Sequence, residues 1–477
     1  MSDLTAIGRK NNATVIPETA LSAFRAAQRG PTLTAQDPDY DSVRQIWNGM
    51  HDKRPALIVR CAGVADVIAA VNFAREYDLL VAVRGGGHNV GGTGSCEGGV
   101  MIDLSLMRGV HVDTKARTAR VQGGCTWGDV DRETQVFGLA APGGLVSTTG
   151  VAGLTLGGGM GFLRRKHGLS IDNILSVEIV TADGAIRVAS AHENPELFWG
   201  VRGGGGNFGV VTSFEFSLHP VGPMVTFCNP WYSADDAAKV LAGFAAIMKS
   251  APDEFSAHPA FWTIPAAPLF PEEHHGKRAI MIGGVHTGPL EEASRYIQPL
   301  RELAQPLADL SGPLPWTVAQ SAFDPFVPKG IRRYYFKSRY LKDLDDKTIA
   351  ALLPRAIRVP DPSILVVLWN HGGAMQRVSN EATAYRGREH SYMLSVDCIW
   401  DDPAKDVEVI AYARAFLADM EPYSPGGLYV NFAGMGEEGE KLVKEAYGPN
   451  YPRLVALKNK YDPTNLFHLN QNIRPTT

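Results

Sequence analysis

The sequence lacks the features that mark membrane, secreted and nucleic-acid-binding proteins. It has no run of about 18 apolar residues, so no transmembrane helix is predicted. The segment from Met1 to Ala20 is polar and has no apolar stretch typical of a signal peptide. Lysine and arginine number 46 against 50 aspartates and glutamates, and the resulting charge of −4 indicates no surface for nucleic acid.

Cysteine is also scarce. The 477 residues include five cysteines, an odd number, and none forms a CxxC pair. Neither a disulfide framework nor a zinc site is therefore predicted. The adjacent His274 and His275 are interpreted as part of a solvated loop. Scattered thiols and a polar N-terminal segment together favour a reduced, cytoplasmic protein without a metal site.

Glycine, in contrast, is abundant and clustered. The chain has 50 glycines in a composition that is otherwise ordinary for a globular protein, with 45% hydrophobic and 20% charged residues. Its length suggests two or three domains. The glycines concentrate in three clusters, all before residue 210, and these clusters carry most of the functional information.

The first cluster follows a short apolar strand and presents one histidine. Residues 79–83 lead into Arg84-Gly85-Gly86-Gly87-His88-Asn89, with further glycines at positions 91 and 92. Because glycine has no Cβ, the backbone N–H groups of such a loop can close around a ligand. Curled N–H groups form a concavity suited to phosphate. The residues alone leave His88 open as a nucleophile, a general base or a metal ligand, although no HxH or HxxxH partner is nearby.

The second and third clusters point to the same kind of site. Residues 142–161 hold too many glycines for one stable helix or strand, which predicts a long cradle lined by backbone. Residues 204–209 have the literal GxGxxG spacing. A dinucleotide-binding fingerprint needs a helix to follow, whereas the alternation over residues 210–218 predicts a strand. We therefore interpret the third cluster as a tight turn beside a cofactor.

The sequence texture divides the chain into three parts. Up to about residue 222, short strands accompany the glycine clusters, including a strand–helix–strand unit over residues 57–83. From 223 to 421 the clusters disappear and strands alternate with helices, which predicts an α+β domain that covers one face of an antiparallel sheet. From 422 onward a strand-like segment at 428–432 and a helix near Lys444 are predicted.

Several motifs, in order along nearly the whole chain, carry a family resemblance. They are Arg84-Gly-Gly-Gly-His88-Asn89, Gly150-Val-Ala-Gly153, Gly157-Gly158-Gly159, Arg202-Gly-Gly-Gly-Gly-Asn207-Phe208-Gly209-Val210-Val211-Thr212, Tyr429-Val430-Asn431-Phe432 and Asn465-Leu-Phe-His-Leu-Asn470-Gln-Asn-Ile473. Together they resemble the berberine-bridge-enzyme type of FAD-linked oxidases, a family that includes bacterial 6-hydroxynicotine oxidases and sugar oxidases.

The resemblance implies an α+β fold of the vanillyl-alcohol-oxidase, or PCMH, type. In that fold the FAD-binding domain is split around a substrate-binding domain. Applied to this chain, residues 1–222 form the FAD-binding domain, with its PCMH-type core at about 55–220. Residues 223–421 form the substrate-binding domain, and residues 422–477 return to the FAD domain.

The resemblance also implies that the FAD is covalently bound. His88 would be bonded to the 8α-methyl group of the isoalloxazine ring. Many members add a cysteine link to flavin C6 within a Cys-Pro-x-x-Gly-x-x-Gly pattern, but Val146 stands at the position of that cysteine. A single histidyl link is therefore expected. Thr149 matches the family position near flavin C4a, where a compact β-branched residue leaves space for O2 and favours an oxidase.

Matching by position further implies a set of cofactor-binding residues spread over the motifs. They are Arg84, Gly85, Gly86, Gly87, His88, Asn89, Gly92, Thr149, Gly150, Gly153, Gly157, Gly158, Gly209, Val210, Val211, Tyr429, Asn431 and Asn470.

The implied reaction is hydride transfer from an alcohol or amine carbon of a small molecule to FAD, which O2 then reoxidises to give H2O2. A sugar, a secondary metabolite or an N-heterocycle would each fit. A base takes the O–H or N–H proton, and the candidates are Tyr429, His371 and Tyr335. The second tyrosine of the family's Tyr-x-Asn-Tyr pattern is Phe432 here. A phenol, with an ordinary pKa of about 10, needs a nearby cation or hydrogen-bond donors to act as the base.

Two alternatives to an oxidase stay open. One is a dehydrogenase that passes electrons to another acceptor, and the other is a flavin-binding protein with little turnover. A monomer or a homodimer is expected, with neither nucleic acid nor membrane as a partner.

Overall fold

The computed structural model describes residues 3–436 and 439–476, and the strands among them form five sheets. A four-stranded sheet contains the predicted strand–helix–strand unit. Leu57–Arg60 and Val81–Arg84 each pair in parallel with Val100–Asp103, and the helix Val64–Glu76 makes the crossover. Thr32–Leu33 adds an antiparallel edge. The first glycine cluster thus begins where Val81–Arg84 ends, as predicted.

A five-stranded antiparallel sheet combines two strands that precede the second glycine cluster with three strands that follow it. Its order is Ile186–Ser190, Ile174–Val180, Val210–Ser217, Thr118–Gln122 and Val110–Asp113. The central strand, Val210–Ser217, comes directly after the GxGxxG spacing. A strand therefore follows that motif, as predicted, and the dinucleotide-binding fingerprint is excluded.

The largest sheet has nine antiparallel strands and lies between residues 224 and 400. Its path is Ala308–Asp309, Pro230–Ser233, Arg278–His286, Phe255–Thr263, Leu365–Asn370, Tyr392–Trp400 and Arg333–Leu341, and Met224–Cys228 joins Arg278–His286 to Gly312–Pro315. Four helices cover one face through a shared apolar core: Ala237–Met248, Leu290–Arg301, Asp346–Ile357 and Asp406–Asp419. The opposite face packs on the glycine-rich part through a second core. The α+β fold is confirmed.

Shorter elements complete the chain. Two-stranded pairs form between Leu4–Ile7 and Ala13–Ile16 and between Leu139–Ala140 and His219–Pro220. The other α-helices are Glu18–Ala27, Tyr40–Arg44, Trp127–Gln135, Val151–Leu156, Arg164–His167, Pro195–Val201, Trp316–Gln320, Ala374–Arg377, Glu440–Tyr447 and Tyr451–Tyr461. The 3-10 turns are Ser170–Asn173, Ala234–Asp236, Glu272–His274, Asp324–Phe326, Pro403–Lys405, Glu421–Tyr423, Val430–Phe432 and Gly448–Asn450. Within the described ranges, no helix is long and apolar enough to cross a bilayer.

Two local predictions need correction. The second glycine cluster is not irregular throughout, because Val151–Leu156 forms a helix with a single glycine inside it and buries Val151 and Leu156 in the core. The strand predicted at 428–432 is wrong. The Tyr429 N–H donates to Ser338 Oγ and the Phe432 N–H donates to the Tyr429 carbonyl, which closes a turn.

Candidate functional site

A cavity of about 380 Å³ lies where the glycine clusters meet the nine-stranded sheet. Its volume falls within the range of small-molecule sites. The wall draws on residues from Trp47 to Gln471, so nearly the whole chain contributes. Sixteen of the predicted cofactor-binding residues line it: Arg84, Gly85, Gly86, Gly87, His88, Asn89, Thr149, Gly150, Gly153, Gly157, Gly209, Val210, Val211, Tyr429, Asn431 and Asn470.

The first two glycine clusters touch each other at the wall. A Cβ built on Gly86 would lie 2.4 Å from Gly150 Cα, and one built on Gly150 would lie 2.3 Å from the Gly86 nitrogen. Carbon atoms in contact are normally about 3.5–4.0 Å apart. Only glycine fits at either position. The close approach brings the loop that carries His88 beside the start of the helix Val151–Leu156.

His88 is held in the cavity by two threonines and a tryptophan. Its Nε2 lies 3.0 Å from Thr148 Oγ1, and its Nδ1 lies 3.5 Å from Thr149 Oγ1. The Trp47 ring stacks on the imidazole at 4.9 Å between centroids and an angle of 16°. Removal from bulk water, assisted by the charge of Lys329, lowers the pKa of His88 to about 3. The imidazole is therefore neutral at physiological pH and keeps a nucleophilic lone pair.

Arg84 serves the loop rather than presenting a free charge to the cavity. Its Nη2 lies 2.6 Å from Asp103 Oδ2, and its Nε donates to Asp103 Oδ1 at 2.9 Å. Both side chains are buried. Burial raises the pKa of Asp103, but the Arg84 guanidinium outweighs it and holds that pKa below its usual value. The bidentate pair fixes the start of the glycine loop to the neighbouring strand Val100–Asp103.

Tyr429 reaches the wall with its hydroxyl group already engaged. The Gly159 N–H donates to Tyr429 Oη at 3.1 Å, and Asn431 Nδ2 donates to the same oxygen at 2.8 Å. Asn431 Nδ2 also donates to the Leu154 carbonyl at 2.9 Å. Burial raises the pKa of Tyr429, although these donors oppose the shift. The phenol therefore stays protonated, and its own proton is left to donate.

A buried ion pair fastens the C-terminal tail, residues 462–473, to the third glycine cluster. Lys458 Nζ lies 2.7 Å from Asp462 Oδ2, and neither side chain is exposed. The same ammonium donates to the carbonyls of Asn207 and Phe467, each at 2.9 Å. Asp462 in turn accepts the N–H groups of Leu466 and Phe467. This network positions Phe467 and the residues after it on the cavity wall.

Two of the predicted glycines lie off the wall. A Cβ on Gly92 would strike the His51 ring at 2.5 Å, and one on Gly158 would strike the Tyr385 ring at 2.9 Å. Both residues have positive φ, +72° and +134°. Close packing and backbone conformation therefore account for glycine at these positions.

Two of the three predicted bases also lie away from the wall. Tyr335 faces the helix-covered side of its strand and accepts a hydrogen bond from Arg414 Nε at 3.0 Å. Side chains alternate along a strand, so its neighbour Phe336 lines the cavity instead. His371 is buried beyond the wall, with Nδ1 2.9 Å from the His390 carbonyl. Burial, with Arg164 nearby, lowers its pKa to about 3.

The wall fits the FAD that the sequence resemblance implies. A Cβ on Gly153 or Gly206 would meet no atom of the described residues within 4 Å, so the backbone there borders open space. Asn470 Oδ1 is buried without a hydrogen-bond partner among those residues. A large cofactor rich in hydrogen-bonding groups would occupy that space and satisfy the amide. The glycine loops, His88 and the C-terminal tail are the residues that would hold it.

Among the wall residues that the sequence did not predict, two bear directly on the chemistry of the site. Trp47, which stacks on His88, lies in a polar segment without a recognisable motif. Asp397 lies inside the strand Tyr392–Trp400, all of whose residues are buried. A single carboxyl in an otherwise uncharged strand was the available signal for Asp397. Across the described ranges no group of histidine, cysteine or carboxylate side chains could hold a metal ion.

Two family models match the chain. The model described as "FAD binding domain" matches residues 55–190, which supply the first two glycine clusters. The model described as "Berberine and berberine like" matches residues 428–474, which supply Tyr429, Asn431 and the C-terminal tail. Both matched segments contribute to the one cavity.

Full-length relatives and a solved structure agree with these matches. An FAD-linked oxidoreductase of Dictyostelium discoideum is 32% identical over 438 residues, which cover 91% of this chain and 92% of that protein. The (R)-6-hydroxynicotine oxidase of Paenarthrobacter nicotinovorans is 32% identical over 463 residues, covering 94% and 97%. The crystal structure of the carbohydrate oxidase of Microdochium nivale, in complex with a substrate analogue, has a TM-score of 0.84 at 25% identity, covering 96% and 100%.

Proposed function

The chain belongs to the berberine-like family of FAD-linked oxidoreductases, and on that premise we propose that it is an oxidase of small molecules that carry an alcohol or amine carbon. FAD, when bound, accepts the hydride from that carbon and returns the two electrons to O2, which gives H2O2. The protein holds the cofactor, orients the substrate and manages the proton.

The observation that carries the proposal is the neutral imidazole of His88 within the glycine loop. Its low pKa leaves the lone pair free for a bond to carbon, and the contacts with Trp47 and Thr148 limit rotation of the ring. These features support a single covalent link from His88 to FAD. Val146 lines the same cavity and has no thiol, which supports the absence of a second link.

Of the three candidate bases, Tyr429 lies on the cavity wall and His371 and Tyr335 do not, but Tyr429 is a poor acceptor of a proton. Its oxygen already accepts two hydrogen bonds, and burial raises its pKa. We therefore assign Tyr429 the task of orienting the bound molecule by donating its hydroxyl proton. The acceptor of the substrate proton is then another group on the wall.

Further parts of the proposal concern the whole protein. We propose an FAD-binding domain at 1–222, a substrate-binding domain at 223–421 and a returning segment at 422–477. The nine-stranded sheet, which uses strands between residues 224 and 400, supports these boundaries. Five unpaired, buried cysteines support a cytoplasmic location. We propose a monomer or a homodimer, which light scattering of the purified protein would distinguish.

Acid precipitation of the purified yellow protein, followed by flavin fluorescence of pellet and supernatant, tests the covalent link. Fluorescence should stay with the pellet in the wild type and in His192→Ala, whose histidine is exposed, and should move to the supernatant in His88→Ala. Release of flavin from the wild-type pellet would exclude the link. Peroxide measured during turnover in air tests the oxidase. Reduction of an artificial dye without peroxide would identify a dehydrogenase instead.

A further inference from the structure

Asp397 is an acidic residue of the cavity wall. It forms no ion pair with the two arginines of the wall, Arg84 and Arg332. It lies in the strand Tyr392–Trp400, and its cross-strand neighbours Phe336 and Leu365 line the same cavity. The two arginines on the wall are already paired elsewhere. Arg84 pairs with Asp103, and Arg332 pairs with Asp401 at 2.8 and 3.1 Å.

The Asp397 carboxyl has hydrogen-bonding capacity that the described residues leave unused. Its Oδ1 is buried and has no hydrogen-bond partner among them. Burial raises the pKa of Asp397 to about 7, while a hydrogen bond with Ser395 opposes the shift. A buried carboxylate is costly unless a countercharge or donors accompany it. A molecule that occupies the cavity can supply the missing partner, because Asp397 lines the cavity wall.

The rest of this part of the wall is apolar and largely aromatic. It includes Trp262, Phe326, Phe336, Trp369 and Phe432. His258 also lines the wall and stacks on the Trp369 ring at 4.9 Å between centroids. Burial, with Arg164 nearby, lowers its pKa to about 3, so it is neutral.

Such a wall suits a flat apolar molecule with one charged group. A sugar would bring many hydroxyl groups out of water, and each hydroxyl left without a partner weakens binding. Ser363, a further polar residue of the wall, already accepts a hydrogen bond from Arg332 Nη2 at 2.8 Å. An ammonium group would find a carboxylate at Asp397 and aromatic faces around it, and both attract cations.

We propose that the substrate is an apolar, aromatic amine that binds as its ammonium ion against Asp397, and that Asp397 accepts the proton of that ammonium. This inference rests on the proposed oxidase. The carboxylate takes one N–H proton, which leaves a neutral amine. With FAD bound, the adjacent C–H bond would break and give its hydride to the cofactor, while the nitrogen lone pair would form the C=N bond of an iminium ion. The substrate loses two electrons, and O2 would take them up with the transferred hydrogen and the proton released from Asp397, which gives H2O2.

The test compares binding of N-methylbenzylamine, a cation, with binding of benzyl methyl ether, its neutral counterpart. Titration calorimetry at pH 8.5, where the carboxyl is ionised, gives both dissociation constants for the holoenzyme. The wild type should prefer the amine by roughly tenfold or more, the gain from a hydrogen-bonded charge. Asp397→Asn should lose that preference and leave ether binding unchanged. Asp343→Asn, at an exposed carboxyl, should behave as the wild type.

Equal affinity for amine and ether in the wild type, or an unchanged preference in Asp397→Asn, would overturn the inference. Peroxide production from sugars that survives in Asp397→Asn would also overturn it while leaving the oxidase intact. An amine preference that depends on Asp397, without any peroxide, would sustain the amine site and reject the oxidase. The binding readout therefore separates the two proposals.

Discussion

Replacing Lys458 by methionine is expected to release the C-terminal tail from the cavity. Methionine keeps the length and the apolar stem of lysine but removes the ammonium from a fully buried pair. Breaking a buried ion pair by removing one partner costs about 3–5 kcal/mol. Asp462 still accepts hydrogen bonds from the N–H groups of Leu466 and Phe467 in the variant. The expected loss of stability is therefore near the lower value, about 3 kcal/mol. At about 1.4 kcal/mol per factor of ten, opening of the tail should become roughly a hundredfold more frequent.

Amide hydrogen exchange of residues 464–473, read by mass spectrometry, measures this opening directly. Exchange there should accelerate in Lys458→Met while exchange in the nine-stranded sheet stays unchanged, because the hydrogen bonds of the ammonium to described residues go to Asn207, Asp462 and Phe467. Lys460→Met, two residues further along the same helix, is the matched control because Lys460 is exposed. Adding Asp462→Asn to Lys458→Met should restore part of the lost protection, since it removes the unpaired charge.

The reasoning would be refuted if Lys458→Met and Lys460→Met showed the same exchange in the tail. It would also be refuted if the double variant were as unstable as the sum of the two single variants. Either result would mean that packing alone holds the tail, without the buried ammonium.

Two further predictions concern the cavity and its surroundings. Trp47→Leu should lower the fraction of flavin that stays with the acid-precipitated protein, because the stack on His88 is lost. Trp47→Phe keeps an aromatic ring and should retain more flavin than Trp47→Leu. Full retention in Trp47→Leu would contradict a positioning role for Trp47. Burial raises the pKa of Asp131 from 3.8 to about 7, although it accepts a hydrogen bond from Trp316 Nε1 at 3.0 Å. Because the folded state holds this proton more tightly, wild-type stability relative to Asp131→Asn should fall as pH rises from about 4 to 7. The measurement is the difference in thermal midpoint between wild type and Asp131→Asn, and the same difference at pH 5 and at pH 8 would contradict the prediction.

The glycine-rich half of the fold was predictable because its signals are local. In the crossover unit over residues 57–83, the apolar residues of the helix recur at helical spacing. In the strand after Gly209, apolar and polar residues alternate. The large sheet was harder to predict. Phe255–Thr263 is buried at eight of nine positions, so it has no alternation of polar and apolar residues, and Pro259 stands inside it. Strands buried on both faces give no periodic signal.

The residues of the candidate site were predictable where they belong to the glycine motifs. They were not predictable where they lie on strands of the large sheet. Register decides which side of a strand reaches the cavity, and a shift of one residue reverses every side chain. Tyr335 was therefore chosen in place of Phe336. Asp397 gave a compositional signal, but its exposure to the cavity depends on pairing with strands that lie about 30 and 60 residues earlier in the chain.

The parts of the cavity wall are synthesised at different times, because the wall residues lie far apart in the chain. The glycine clusters are complete at Val211, whereas the last wall residue, Gln471, is added roughly 260 residues later. At a synthesis rate of about 5–20 residues per second, the segments that enclose the glycine clusters are completed roughly ten to fifty seconds after the clusters themselves. During that interval its apolar lining is open to water and to other chains. Early contact with the cofactor, or with a chaperone, would shield the nascent cradle from aggregation.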